Sequence, residues 1–341
     1  MQAMISSDFL IEPAFANEKQ LQKSVSDIVK INKMVNDDYQ VDIVTQDDLI
    51  KKLSDAGLYP CERVFRENIA KYYFDEEVSS KDIVTMVHNI VQRSEELSLY
   101  TDLFEIEFDN VDIIPDKKEI SSRCCIDSLV YDFMMISLIN EIYKYNLSFI
   151  VGGNEQVTNF NLKSEKVVIY AEEQSEFIDY EKELVLTSSV DEFLINVGSE
   201  VIWNRASNDY ILALAIYTRV LELRLSSGEI YDDEFTLDSF VIGDAFFDSL
   251  HTYQCGPSER FGNACFEAIA RLIFGSPKEE LNVFRASSEK GAKQRTRGDD
   301  LAYRTHVTKG GEGIRLMVWH LPTGEFELAN VGNKFDLHIE A

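Results

Sequence analysis

From Gly313 to Val331 the chain alternates in two arms, Gly313–Leu321 and Glu325–Val331, joined by Pro322-Thr323-Gly324. Successive residues of a strand point to opposite faces, so a period of two marks a half-buried strand. Pro and Gly between two such arms are turn residues, and the whole reads as a hairpin. In the first arm Ile314, Leu316, Val318 and His320 share one face, and Arg315, Met317, Trp319 and Leu321 share the other. A slip of one residue would exchange the two faces, so the pattern fixes the register.

The segments before this hairpin have a legible order. Phe235–Ile242 reads as a strand and Asp244–Tyr253 as a helix. Cys255-Gly256-Pro257 makes a turn, and Ser258–Phe274 reads as a second helix, capped at Ser258-Glu259-Arg260 and closed by Gly275. Leu281–Ala286 and Ala302–Thr308 read as strands.

A chain of 341 residues is long for one domain. We expect a mostly helical acidic region over 1–118, an α+β region over 119–231 and a small α+β domain over 232–341. Helical spacing covers Glu18–Val35, Gln46–Ala56 before Gly57, Pro60–Tyr73, and a segment through Ile83–Val91 capped by Ser79 or Ser80. Tyr100–Val111 alternates apolar and acidic residues as a strand does. A long apolar helix follows from Ser121 or Ser122 to Tyr145, with Cys124 and Cys125 as packing residues. Leu147–Val151, Val167–Ala171 and Leu184–Thr187 read as short strands, and Asn208–Leu225 as a packed helix. Gly152-Gly153 lacks the Lys-Ser/Thr of a phosphate loop and reads as a turn. The acidic loop Asp232-Asp233-Glu234 is the preferred boundary.

Charge divides the chain differently. The net charge is −27, yet Leu281–Ala341 holds nine Lys/Arg against eight Asp/Glu. Within it, Arg285–Arg304 holds six basic and three acidic residues. A basic stretch on an acidic chain is a candidate contact for phosphate or an acidic partner. The overall charge disfavours general binding to nucleic acid or anionic membrane. It suits a soluble acidic surface, a basic protein partner or imitation of nucleic acid. No apolar stretch approaches the roughly 18 residues of a membrane span, and the N-terminus lacks the basic start of a signal peptide. Five scattered cysteines without a C-x-x-C pair argue against a disulfide scaffold or structural zinc, and suit a cytoplasmic protein. No spacing proposes a metal or a cofactor.

The strand–helix–helix–strand order, then Tyr303-Arg304, then Gly313-Ile314-Arg315-Leu316-Met317-Val318-Trp319, then Phe326–Gly332, Lys334 and His338, resembles the RelE/ParE-type toxins. The resemblance covers about Phe235–Ala341 and implies a β-α-α-β-β-β domain behind a helix-rich acidic region with some short strands. Family toxins are usually short, basic, free-standing chains. This one is not, and one branch of the fold poisons a topoisomerase instead of cutting RNA.

In that family, metal-independent RNA cleavage has a 2′-hydroxyl attack the adjacent phosphate. It needs a base, charge stabilisation and an acid for the leaving oxygen. The resemblance gives Arg297 and Arg304 to phosphates and Arg315 to developing charge. Lys334 or His338 would take the acid or base role. His306, two residues from Arg304 and so on its face, is the alternative. Lys293 and Arg295 belong to the basic loop that would order on phosphate. Each has an ordinary reading too: Arg315 as a salt-bridged strand residue, His306 as a polar-face residue, His338 as part of a frayed terminus, the basic loop as a solvated one.

Two functions follow. One is an RNA-targeting toxin-like or antiviral defence protein that binds RNA or the ribosome or cleaves RNA as a metal-independent endoribonuclease, restrained or docked by its acidic region as in toxin–antitoxin pairs. The other is a non-enzymatic interaction subunit of a multi-protein defence system, with protein partners and no membrane role.

Overall fold

The computed structural model of the chain describes residues 2–36, 42–72, 78–100, 105–116, 126–144, 147–152, 159–170, 175–228, 235–287, 291–309, 311 and 313–340. The fold is α+β and forms two compact units, Met1–Phe193 and Leu194–Ala341. Among the described residues no helix is long and apolar enough to cross a membrane.

The first unit is built on strands β1 (Gln2–Ile5), β2 (Asp42–Thr45), β3 (Glu95–Glu96), β4 (Glu105–Phe108), β5 (Val111–Ile114), β6 (Leu147–Ile150), β7 (Asn159–Tyr170) and β8 (Ser175–Thr187). Their order is β3-β2-β1-β6-β8-β7-β4, with β5 also on β7. The pairs from β3 to β8 are parallel, whereas β7 is antiparallel to its neighbours. The helices are α1 (Ser7–Ile11), α2 (Glu18–Asn36), α3 (Leu49–Asp55), α4 (Glu62–Tyr72), α5 (Ser80–Arg93) and α6 (Ile126–Tyr143). Helix α6 is apolar nearly all round, as a core helix must be. Its Phe133 meets Phe149 edge-on at 5.0 Å and Phe160 at 4.3 Å.

The second unit follows α7 (Val190–Val197), which spans the division. It holds α8 (Ser199–Asn204), α9 (Asp209–Ser227), β9 (Phe240–Ile242), α10 (Phe246–Thr252), α11 (Gly262–Ile273), β10 (Asn282–Val283), β11 (Thr296–Arg297), β12 (Asp300–His306), β13 (Arg315–His320) and β14 (Phe326–Gly332). The sheet runs β10-β12-β13-β14-β9, with β11 on β12, and β9 is parallel to β14. The hairpin pairs Arg315 with Gly332 and His320 with Phe326, and its register shifts by one residue between Met317 and Val318, a bulge that alternation does not foretell. Gly324 takes the left-handed conformation its turn needs, at φ +99°.

Several expectations change. The units part at Phe193, and neither 118 nor 231 marks a division. Helix α9 belongs with the second unit, because Arg219 bonds Glu267 of α11 at 3.0 Å. Trp203 of α8 likewise stacks on Phe266 at 4.6 Å. The expected boundary at 232–234, and Cys124, Cys125 and Gly153, lie outside the described residues. The N-terminal hundred residues contain a parallel β-pair, β1 with β2, whose four-residue runs are too short for periodicity to register. The single strand expected over 100–111 is two, β4 and β5, both on β7. Val167 and Leu184 lie in one long hairpin, β7–β8. Ser258 does not cap α11, which begins at Gly262. Instead Glu259 accepts from Gly256 N at 2.6 Å and pairs with His251 at 3.0 Å.

Candidate anion site on the outer sheet face

Strand alternation divides the second sheet. Opposed pairs Ala302–Trp319, Arg304–Met317 and His306–Arg315 share one face. Phe284, Ala302, Met317, Trp319, Ala329 and Ile339 form a small apolar cluster there. The C-terminal segment closes over it, since Trp319 Nε1 donates to Glu340 O at 2.7 Å and Glu340 N donates to Asn330 Oδ1 at 3.1 Å. The strands therefore hold arginines at the rim of an apolar patch, where desolvation strengthens charge interactions.

Four of the expected residues come together. Arg315 Nη1 donates to His306 Nδ1 at 2.6 Å and to Gly313 O at 3.3 Å. A guanidinium only donates, so Nδ1 accepts and the ring proton sits on Nε2. Arg304 lies close enough for its charge to act on Arg315. Burial first, and Arg304 second, lower the Arg315 pKa from its ordinary value. Among the described residues neither Arg304 nor Arg315 pairs with a carboxylate, although the chain carries 60 Asp and Glu. Lys334 is exposed and lays its stem against Gly313, with Cγ, Cβ and Cδ 3.2–3.5 Å from where a Cβ would stand. Its Nζ lies 4.8 Å from the centroid of the Phe335 ring.

Arg297, His338 and Lys293 stand apart, and Arg295 meets the group only through the ring that it shares with Arg304. Arg297 is already taken: Nε donates to Asp300 at 2.9 Å, Nη1 and Nη2 grip both oxygens of Glu327, and the guanidinium covers Trp319 at 4.9 Å. These carboxylates raise its pKa, Glu327 foremost. The arrangement holds β11 to the sheet and leaves no fork for phosphate. His338 pairs with Glu340 at 3.0 Å on the exposed C-terminal segment. Arg295 lies over Phe284 at 5.6 Å, with Arg304 on the same ring at 5.2 Å. Lys293 is exposed on the preceding loop.

Two residues, Phe284 and Asp336, were not singled out from the sequence, and Gly313 was quoted only as part of a motif. Phe284 is fully buried and is the ring on which both arginines lie. Gly313, at φ +63°, supplies the carbonyl to Arg315 and the floor for Lys334. Asp336 accepts from Tyr253 Oη at 3.1 Å and from His338 N at 2.9 Å, which fixes the segment bearing Lys334. The available sign for Phe284 was its place in the short apolar run Leu281–Ala286 that opens into the basic stretch. Nothing local marks Asp336.

Comparison with protein-family models, curated proteins and solved structures returned no match.

Proposed function

We propose that the outer sheet face of the second unit binds the phosphodiester backbone of RNA, with Arg304 and Arg315 as the phosphate ligands. The observation that carries this is their pairing without a carboxylate. Two neighbouring guanidiniums repel one another, and an anion between them relieves that repulsion and takes bidentate hydrogen bonds. The resemblance to RelE/ParE-type toxins supports the polymer over a free phosphate. In a cytoplasmic protein of this kind the target is RNA or the ribosome.

The same face has the charge-stabilising groups for metal-independent strand cleavage. Arg315 stabilises charge on the phosphate. His306, held through Nδ1, donates a hydrogen bond from Nε2–H to a phosphate oxygen as charge develops, while water takes the 2′-hydroxyl proton and returns one to the leaving oxygen. Lys334 neutralises the flank. The experiment compares the full chain with Arg304→Ala, Arg315→Ala and His306→Gln. Single-stranded RNA binding is followed by anisotropy at low salt, and cleavage by gel. Loss of binding in both arginine variants supports the site. Cleavage lost in His306→Gln with binding retained supports the enzyme. RNA binding without cleavage in the wild type supports the binding platform. Binding untouched in both arginine variants defeats the reading.

A further inference from the structure

Phe335 is 79% exposed, more than any other large apolar side chain among the described residues. A single exposed apolar residue is ordinary by itself. What sets this one apart is how it is held and what stands beside it. Phe335 N donates to Asn333 Oδ1 at 2.9 Å, and Asp336 N donates to Asn333 O at 3.0 Å. Asp336 in turn accepts from Tyr253 Oη and His338 N. The backbone on both sides of Phe335 is thus fixed, while most of its ring is open to solvent.

The ring stands where the chain turns back from β14 onto the outer sheet face. Gly332, the last residue of β14, opposes Arg315. By Ile339 and Glu340 the chain is on that face again, with Ile339 in the apolar cluster and Glu340 bonded to Trp319 and Asn330. Phe335 therefore lies at the end of the face that carries Arg315 and His306. Lys334 joins the two. Its stem rests on Gly313, whose carbonyl accepts from Arg315, and its Nζ is 4.8 Å from the Phe335 centroid.

Cations lead up to the ring contact by contact. Arg295 and Arg304 lie over Phe284 at 5.6 and 5.2 Å, and Arg295 Nε is buried with no hydrogen-bond partner among the described residues. Arg304 and Arg315 are diagonal neighbours on one face of β12 and β13. Among the described residues no carboxylate pairs with Arg295, Arg304, Arg315 or Lys334. Open cations that end at an exposed aromatic ring complement an anionic backbone that carries flat rings. Single-stranded nucleic acid is held in this way, by basic groups along its phosphates and aromatic side chains under its bases. A duplex keeps its bases stacked on one another and offers such a ring none.

We propose, resting on the phosphate site put forward above, that Phe335 is the platform on which one unpaired base of single-stranded RNA stacks while the adjoining phosphates lie on Arg304 and Arg315. Lys334, beside the ring, meets the phosphate of the stacked nucleotide. A phenyl ring makes no hydrogen bond to a base edge, so the site selects an exposed base and not a sequence.

The test measures, by anisotropy on the full chain, binding of a short fluorescein-labelled RNA of mixed sequence, the same strand made abasic, and the same strand annealed to its complement. Phe335→Ala is expected to weaken binding of the base-bearing single strand about tenfold. It leaves the abasic strand, the duplex and the salt slope as in the wild type, because no phosphate contact is lost. Phe335→Trp restores the affinity. The ring is exposed, so thermal melting of the variants stays unchanged. Phe335→Ala that binds the single strand as tightly as the wild type, or that weakens all three ligands alike, overturns the stacking site and leaves the phosphate site standing. A wild type that binds none of the three, or binding untouched in Arg304→Ala and Arg315→Ala, overturns both.

Discussion

Arg315 donates to Nδ1 of His306 at 2.6 Å, across directly opposed positions of β12 and β13. The pairing makes each residue depend on the other. The imidazole is held in one tautomer by a group that cannot accept, and the guanidinium is kept at the sheet face by a neutral partner. Arg315→Lys keeps the charge and loses the planar fork. On the function proposed here, RNA affinity falls only a few-fold, whereas strand cleavage falls by about 10² or more, as when an oxyanion donor is removed. Single-turnover cleavage and anisotropy on the same preparation separate the two effects.

Arg304 and Arg315 lie beside one another without carboxylate partners among the described residues. If each holds one phosphate, Arg304→Ala and Arg315→Ala each reduce the slope of log affinity against log salt by about 1. The loss is uniform across RNA sequences. Equilibrium titrations at four salt concentrations measure it.

Arg297 behaves differently despite standing in the same basic stretch. Its partner Glu327 has a side chain only 13% exposed, so removing the guanidinium strands a buried carboxylate. Arg297→Ala is expected to lower stability by about 1.5–3 kcal/mol, the range for hydrogen bonds to charged groups. RNA affinity stays unchanged. Urea unfolding beside the binding titration gives both answers.

Asp27 sets a pH dependence opposite to that of a salt-bridged surface carboxylate. Burial raises its folded pKa to about 7, well above the ordinary carboxylate range near 4. The folded protein thus binds a proton that the unfolded chain has released between those values, so this group's contribution is present at low pH and lost as pH rises from about 4 to about 7. Asp27→Asn removes that fall and flattens the stability profile, read by thermal melts from pH 5 to pH 8.

Gly262 begins α11 with Gly256 O only 2.3 Å from the position of a Cβ. The obstacle is backbone, so Gly262→Ala must shift the α10–α11 turn. A loss of about 1–3 kcal/mol follows, as for overpacked sites. Denaturant midpoints measure it.

Much of the second unit was legible because its signals are local. Helix α9 begins where Asn208 Oδ1 accepts from Ile211 N at 2.9 Å and ends at left-handed Gly228. Capping and breaking residues act over a few positions, so they can be read in order. The first unit resisted because parallel strands pair residues far apart: Gln2 with Asp42 on one side and with Leu147 on the other. Such short buried strands carry little periodicity of their own.

The candidate site divides the same way. Alternation alone placed Arg304 and His306 on one face, and Arg315 with Met317 and Trp319 on one face of the next strand. Pairing alone decided that these were the same face. Basic residues that are equivalent in sequence then separated by their neighbours: Arg297 met Glu327, His338 met Glu340, and Arg304 and Arg315 met no acid among the described residues. The sequence by itself determined which side chains share a face of each strand, because that follows from backbone geometry. Only the tertiary structure decided which charges would be neutralised and which left open, because that depends on residues brought close by folding.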